Sequence, residues 1–577
     1  MKLLKMIRVS VLLCIIPFAA AELANSSDVF PLTIYVAKKI ITMDPALPEA
    51  TAVAVSDGKI VAVGSLKTLD SWSRNREVII DESFKNKVVM PGFIDPHVHP
   101  SLPAVLTQFD FLAPDDWSLP TGDFPGAKNN QDYIRRLKVL AAGHKDPSIP
   151  YIAWGYHPLW HGEVYRAQLD EIFPDQPVML WHRSFHELIA NTAALELLGV
   201  TEEEVQGQHE VNWAKGHFWE LGARFLLPKM PFLFAPQRYG KGMENFLAMV
   251  HRGGVTTVLD MGLGVFGNPK QELEMIRHTA ESLQSPARII MTPIVTYFIA
   301  AGKTPVQAMA EIDQWRQSNS SRVLIDNHFK LMMDGAIFSG LAQFDYPGYI
   351  DGHKGVWLAP VDVTAVWAEA FWEAGYKLHA HTNGDLSAAE LIKIVRGLQQ
   401  KTPRVDHRFT LEHFAYATEE QSRQMAALGM VVSANPYYQF ILSDIYADQW
   451  LGNDRARKMV PLGSLERAGV PFALHSDSPM APLSPLTLAA TAVERKTING
   501  NINHRLERIS VDSALRAITI DAAWIMGWED RIGSIRAGKI ADFTILNEDP
   551  YEVSVSMLKD IDIWGTVFEG KAYPIVE

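Results

Sequence analysis

Between residues 255 and 477 the chain repeats one alternation, a short apolar run followed by a longer stretch with apolar positions at helical spacing. The runs are Val255–Asp260, Ala287–Val295, Asp326–Met333, Gly375–His381, His407–His413, Gly429–Ala434 and Pro471–Asp477. Amphipathic segments such as Val363–Ala374 and Leu386–Leu398 lie between them. An earlier apolar run, from Val88 to the His97-Val98-His99 triplet, brings the strands to eight. The pattern predicts an α/β protein whose residues 91–528 form a (β/α)8 barrel.

The two ends read differently. Leu32–Val36, Ile40–Thr42, Ala52–Val55 and Ile60–Val63 are strand-like, with turns such as Ser56-Asp57-Gly58 between them. Ile532–Leu546 and Val567–Ala572 have the same character. A small β-sandwich domain built from both termini, residues 30–90 and 529–577, is expected. Residues 101–250 are too long for a plain connection and carry two further strand-like runs, Tyr151–His157 and Pro177–His182. They are expected to form an insertion, or lid, over the barrel mouth.

The first residues change the picture of where the chain works. Lys2, Lys5 and Arg8 precede an apolar stretch, Val9–Phe18, and Ala19-Ala20-Ala21 offers a cleavage pattern. Residues 1–21 therefore read as a signal peptide, and the mature chain as periplasmic or secreted. The one cysteine, Cys14, lies inside that segment, so the mature chain has no disulfide and no thiolate ligand. The 577 residues carry a net charge of −13, made more negative by losing that basic segment. This argues against a nucleic-acid partner or an anionic membrane.

In a strand, positions i and i+2 face the same way, so His97 and His99 would project together from a strand end. Chemistry in a (β/α)8 barrel collects at the C-terminal strand ends. The polar residues predicted there are His97, His99, Lys330, His379, His381, His413 and Asp477. Without cysteine, a metal must be held by nitrogen and oxygen.

Several motifs occur in order: Pro91-Gly92-Phe93-Ile94-Asp95-Pro96-His97-Val98-His99, Phe329-Lys330-Leu331-Met332-Met333-Asp334-Gly335, His381-Thr382-Asn383-Gly384-Asp385, Leu411-Glu412-His413 and His475-Ser476-Asp477-Ser478-Pro479. Together they resemble the amidohydrolase superfamily, in its YtcJ-like branch that includes N-substituted formamide deformylases. The resemblance implies that His97 and His99 bind one metal and His381 and His413 a second. Lys330, carboxylated on its amine, would bridge them. Asp477 would be both ligand and general base. Such a nitrogen and oxygen set suits zinc. Two alternatives stay open: Lys330 as a plain lysine paired with Asp334, and a single-metal site of His97, His99, His381 and Asp477. Dimers are common among similar proteins, so a homodimer is a further implication.

Other residues are candidates for substrate contact. His186 lies in a stretch similar to one that approaches the pocket in the family, and Asn191 there reads as a helix cap. Trp154 and Trp181 belong to an aromatic insertion suited to an apolar pocket. Arg408 would orient substrate or pair with a carboxylate. Glu412, next to His413, is expected on the opposite face. The reaction implied is hydrolysis of a small molecule at a non-peptide carbon–nitrogen bond, an amide or N-formyl group with an apolar substituent. Lactone or ester hydrolysis, isomerisation, and a non-catalytic role regulating extracellular enzyme production are the alternatives. Thr382-Asn383 and Leu386 depart from the usual residues of the branch, which leaves the substrate open.

Overall fold

In a computed structural model of the chain, residues 31–74 and 77–576 are described; the expected signal peptide lies outside them. The strand Val78–Pro91 runs through the terminal sheet and leads into the site. It pairs in parallel with Leu32–Ile41 and antiparallel with Phe543–Leu546, so both ends of the chain share one sheet. Where a sandwich is expected, ladder hydrogen bonds run continuously through seven strands. The edge strand Lys59–Gly64 folds back so that Lys59 bridges Ile540.

Gly92 turns the chain out of this sheet. A Cβ there would lie 2.1 Å from Thr256 Oγ1, which restricts the position to glycine. The next strand, β1 (Phe93–Val98), opens the parallel part of the fold. It continues with β2 (Val255–Leu263), β3 (Arg288–Pro293), β4 (Val323–Ile325), β5 (His328–Met332), β6 (Lys377–Thr382), β7 (Thr410–His413), β8 (Val431–Ala434) and β9 (Phe472–Leu474). Two parallel sheets result, ordered β4-β3-β2-β1 and β5-β6-β7-β8-β9. Isolated parallel bridges join them at both seams, Val98 with Ser478 and Ile294 with Lys330.

Helices cover these strands, among them Val361–Glu373 and Asp385–Lys401, close to the amphipathic segments expected. Strands covered on both faces are largely apolar, and every residue of β2 is buried. Arg288, buried on β3, fastens the terminal sheet to the parallel one through Asp542 at 2.9 Å and Glu569 at 3.1 Å.

The insertion forms a sheet of its own. Tyr151–Tyr156 and Val178–His182 pair in parallel at its centre, at the positions expected for the extra strands. Asn191 caps the helix Thr192–Leu197, accepting from Ala194 N–H at 2.9 Å. No described helix is long and apolar enough to cross a membrane.

Candidate active site

His97 and His99 leave the end of β1 together, with their Nε2 atoms 3.3 Å apart. Asp477, just beyond β9, brings Oδ1 to 3.4 Å from His97 Nε2 and 3.2 Å from His99 Nε2. Its backbone N–H donates to His97 O at 2.9 Å, which locks the two strand ends together. Asp95 strengthens the same seam by accepting from the backbone N–H and hydroxyl of Ser476.

Two groups of ligand atoms converge, His97–His99–Asp477 and His97–His413–His475, each within 4.8 Å. Three of the outer ring nitrogens have a close polar neighbour. His97 Nδ1 lies 2.6 Å from Glu412 Oε2, His475 Nδ1 2.7 Å from Ser433 Oγ and His413 Nδ1 3.3 Å from Tyr438 OH. Such partners fix ring orientation and tautomer, so that the opposite nitrogen can ligate. The Nε2 atoms of His413 and His475 are buried without a hydrogen-bond partner. Buried polar atoms are rarely left so, and a shared metal ion would satisfy them. Burial, reinforced by Lys330 and neighbouring histidines, holds His97, His381, His413 and His475 well below the usual imidazole range. They are therefore neutral at neutral pH, the form that binds metal.

Lys330 lies beneath the cluster, with Nζ 3.5 Å from His97 Nε2. Burial lowers its pKa to about 8 against the pull of Glu412, Asp477 and Asp260. The pairing with Asp334 considered from sequence is not formed. Asp334 instead accepts from the backbone N–H groups of Asn383, Gln343 and Gly384, each at 2.9 Å. It pins the loop beyond β6. His381 lines the same cavity and packs its ring 4.4 Å from that of His413, outside both converging groups. Its Nε2 lies 2.9 Å from the Asn383 amide. His379 sits deeper, between His328 and Glu412.

Two kinks bring the acids and bases together. His413 has φ +75° and Asp477 φ +53°, left-handed values that are strained for residues with side chains. Strand alternation predicts that Glu412 faces away from His413. The kink defeats it, and Glu412 lies under the cluster, held between His97 and His379. Gly262 makes room opposite, since a Cβ there would meet His99 Nδ1 at 2.6 Å.

The cavity of about 130 Å³ above this cluster lies between the strand ends and the insertion. Trp181 and His186, named from sequence, line it. Trp154 does not. It is buried inside the insertion against Phe111 and beneath the guanidinium of Arg183. Arg408 is also displaced from substrate. It precedes β7, at the end of the strands opposite the cluster, and is held by Asp406 and Glu529. A charge so fully paired has no donor left to orient a ligand. Tyr438, His475, Glu220 and Arg224 were missed. His475 stood inside a quoted motif; the others carry no local signal.

A family model described as the amidohydrolase family matches residues 84–573. The chain belongs to that family. It is a metal-dependent hydrolase of carbon–nitrogen bonds other than peptide bonds, acting on a small molecule. It is similar to the N-substituted formamide deformylase of Arthrobacter pascens, 26% identical over 92% of this chain and 96% of that one. It is also 26% identical to Protein LONG AFTER FAR-RED 3 of Arabidopsis thaliana, over 90% of this chain and 88% of the relative. Among solved structures, a metal-dependent hydrolase from Pyrococcus horikoshii OT3 superposes with a TM-score of 0.68 at 19% identity, covering 91% of this chain and 99% of that one.

Proposed function

We propose that this amidohydrolase cleaves the amide or N-formyl bond of a small molecule with an apolar substituent, at a zinc centre in the mouth of a closed (β/α)8 barrel. The observation that carries the reading is the convergence of His97, His99 and Asp477 below a cavity walled by Trp181, Phe185 and Phe266. The two seams, Val98 with Ser478 and Ile294 with Lys330, support a closed barrel, and the curled terminal sheet supports a sandwich-like companion. The likeness to a formamide deformylase supports the bond type.

His97, His99 and Asp477 would hold one ion; His413 and His381, with His475 beside them, would hold a second. Lys330 would join the two as a carbamate. An ammonium cannot ligate, but a buried amine with a pKa near 8 is open to carboxylation by CO2. Bound zinc supplies Lewis acidity to the scissile carbonyl and acidifies the attacking water. Asp477 takes the proton from that water and delivers it to the departing nitrogen. Tyr438 donates to Asp477 Oδ2 at 3.0 Å and holds the carboxylate still between these events. The apolar walls exclude bulk water and receive the substituent.

The deciding experiment is elemental analysis of wild type and Lys330→Ala grown with zinc and bicarbonate, with formamides and amides screened in parallel. About two metals per chain, falling in the variant, together with turnover of a formamide, is the expected outcome for a bridged two-metal site. No metal in either protein would overturn the reading. Residues 1–21 support export to the periplasm or beyond, which N-terminal sequencing of the mature protein tests.

A further inference from the structure

The cavity lining holds a second polar group besides the histidine cluster, made by His186, Glu220 and Arg224. Glu220 Oε2 lies 3.0 Å from His186 Nδ1. Burial disfavours a charge on His186, yet the Glu220 carboxylate outweighs it and raises the imidazole above its ordinary value. These two side chains pair with each other. Arg224 stands next to them on the short helix Leu221–Leu226, with its backbone N–H bonded to Glu220 O at 3.1 Å. Its side chain is exposed at the cavity, and its guanidinium makes no hydrogen bond or ion pair with any described residue. One cation is left over.

The backbone holding this group is strained. Phe185 has φ +71° and Glu220 φ +44°, and both line the cavity. Glu220 N–H donates to His186 O at 3.0 Å and ties the two loops together. Left-handed backbone at residues with side chains persists where the surroundings enforce it, and it gathers at ligand sites. Much of the remaining wall is apolar, with Trp181 stacked on Phe185 at 4.6 Å. The chain as a whole is acidic, at −13. Its long-range field repels anions and is screened within about 8–10 Å in physiological salt, so only a local cation can capture one.

We propose that Arg224 forms a carboxylate subsite: the substrate is an amido acid whose acid group pairs with this guanidinium while its amide or N-formyl carbon meets the histidine cluster and its apolar body lies between. The proposal rests on the hydrolase reading above and narrows it to N-acylated or N-formylated amino acids with apolar side chains. A guanidinium fork matches a carboxylate in two parallel hydrogen bonds. A dianionic phosphate fits less well, because only one positive charge is uncompensated and Glu220 stands beside it.

The test compares kcat/KM for N-formylphenylalanine with that for N-formyl-2-phenylethylamine, which lacks only the acid. Wild type should prefer the acid. In Arg224→Gln the acid-to-amine ratio should fall about tenfold, as expected for loss of a charge-assisted pair near the surface, and Arg224→Lys should recover part of it. A ratio that Arg224→Gln leaves in place overturns the subsite, as does a stronger preference for the phosphonate analogue. If neither compound turns over, the choice of scissile bond fails, and calorimetric binding of the same two compounds decides the subsite alone. A preference for the acid that vanishes in Arg224→Gln sustains it. Equal binding in wild type, or an acid preference that survives the substitution because the carboxylate sits on the metal, overturns it.

Discussion

The hydroxyl of Tyr438 reaches Asp477 Oδ2 at 3.0 Å and His413 Nδ1 at 3.3 Å, so one side chain from the helix after β8 touches both the acid and a histidine of the cluster. Its donor can serve the carboxylate, and the ring packs edge-on to Phe338 in the cavity wall. Tyr438→Phe keeps that packing and removes the donor. Hydrogen bonds to charged groups are worth about 1.5–3 kcal/mol, so kcat should fall roughly 10- to 100-fold with metal content retained. Steady-state kinetics beside elemental analysis check this; an unchanged kcat would remove Tyr438 from the proton route.

Glu412 lies 2.6 Å from both His97 and His379, one carboxylate oxygen to each. Glu412→Gln is nearly isosteric but presents an amide where His97 needs an acceptor. Losing such an outer partner typically weakens metal binding about 10- to 100-fold. Competition with a chromophoric chelator measures it. Wild-type affinity in the variant would mean that packing alone orients His97.

Lys330 gives a pH dependence with a defined sign. Burial lowers its pKa from 10.5 to about 8, so between those values the unfolded chain holds a proton that the folded one has released. Stability from this group therefore rises with pH across that window and is depressed below it. In metal-free, CO2-free buffer, Lys330→Met should be more stable than wild type at pH 7 by about 3 kcal/mol, and the advantage should shrink toward pH 10. Urea unfolding at the two pH values checks it. A gap of the same size at both would place the ammonium in a better-solvated setting than the geometry describes.

Arg183 is fully buried and pairs with Asp115 at 3.1 Å while donating to Met480 O at 2.9 Å. It thus links the insertion to the loop that carries Asp477. Arg183→Met strands a buried carboxylate and should destabilise the fold by about 3–5 kcal/mol. Adding Asp115→Asn should return much of that loss, because no unpaired charge then remains. Chemical denaturation of both single variants and the double variant gives the coupling, and simple additivity would mean that the two side chains stabilise the fold independently.

The legible parts of the sequence were those set by local periodicity. Apolar runs placed β2, β3, β6, β7 and β8 within a few residues, and the His97-Val98-His99 spacing put two imidazoles on one face. Asp326–Met333 read as one strand and holds β5, but a separate strand, β4, precedes it, set off by Asp326 and Asn327, whose side chains bond to Trp528 Nε1 and to Gly375 O. Periodicity does not encode such breaks. Glu412 was misplaced because the kink at His413 overrides alternation. Arg408 and Trp154 were misplaced because residue type does not reveal which end of a strand or which side of a sheet a side chain occupies. Arg183 and Asp115, 68 residues apart, meet only through tertiary packing.

The strand Val78–Pro91, which leads into β1 and so to His97 and His99, is zipped on one side to residues from the start of the chain and on the other to Phe543–Leu546. A ribosome therefore finishes nearly the whole polypeptide before the platform beneath the first two histidines has its second neighbour. Until then Val88–Pro91 offers an apolar edge open to other chains. Early stop codons in the last tenth of the message should yield insoluble material rather than a weakened enzyme, although every residue of the histidine cluster has already been made.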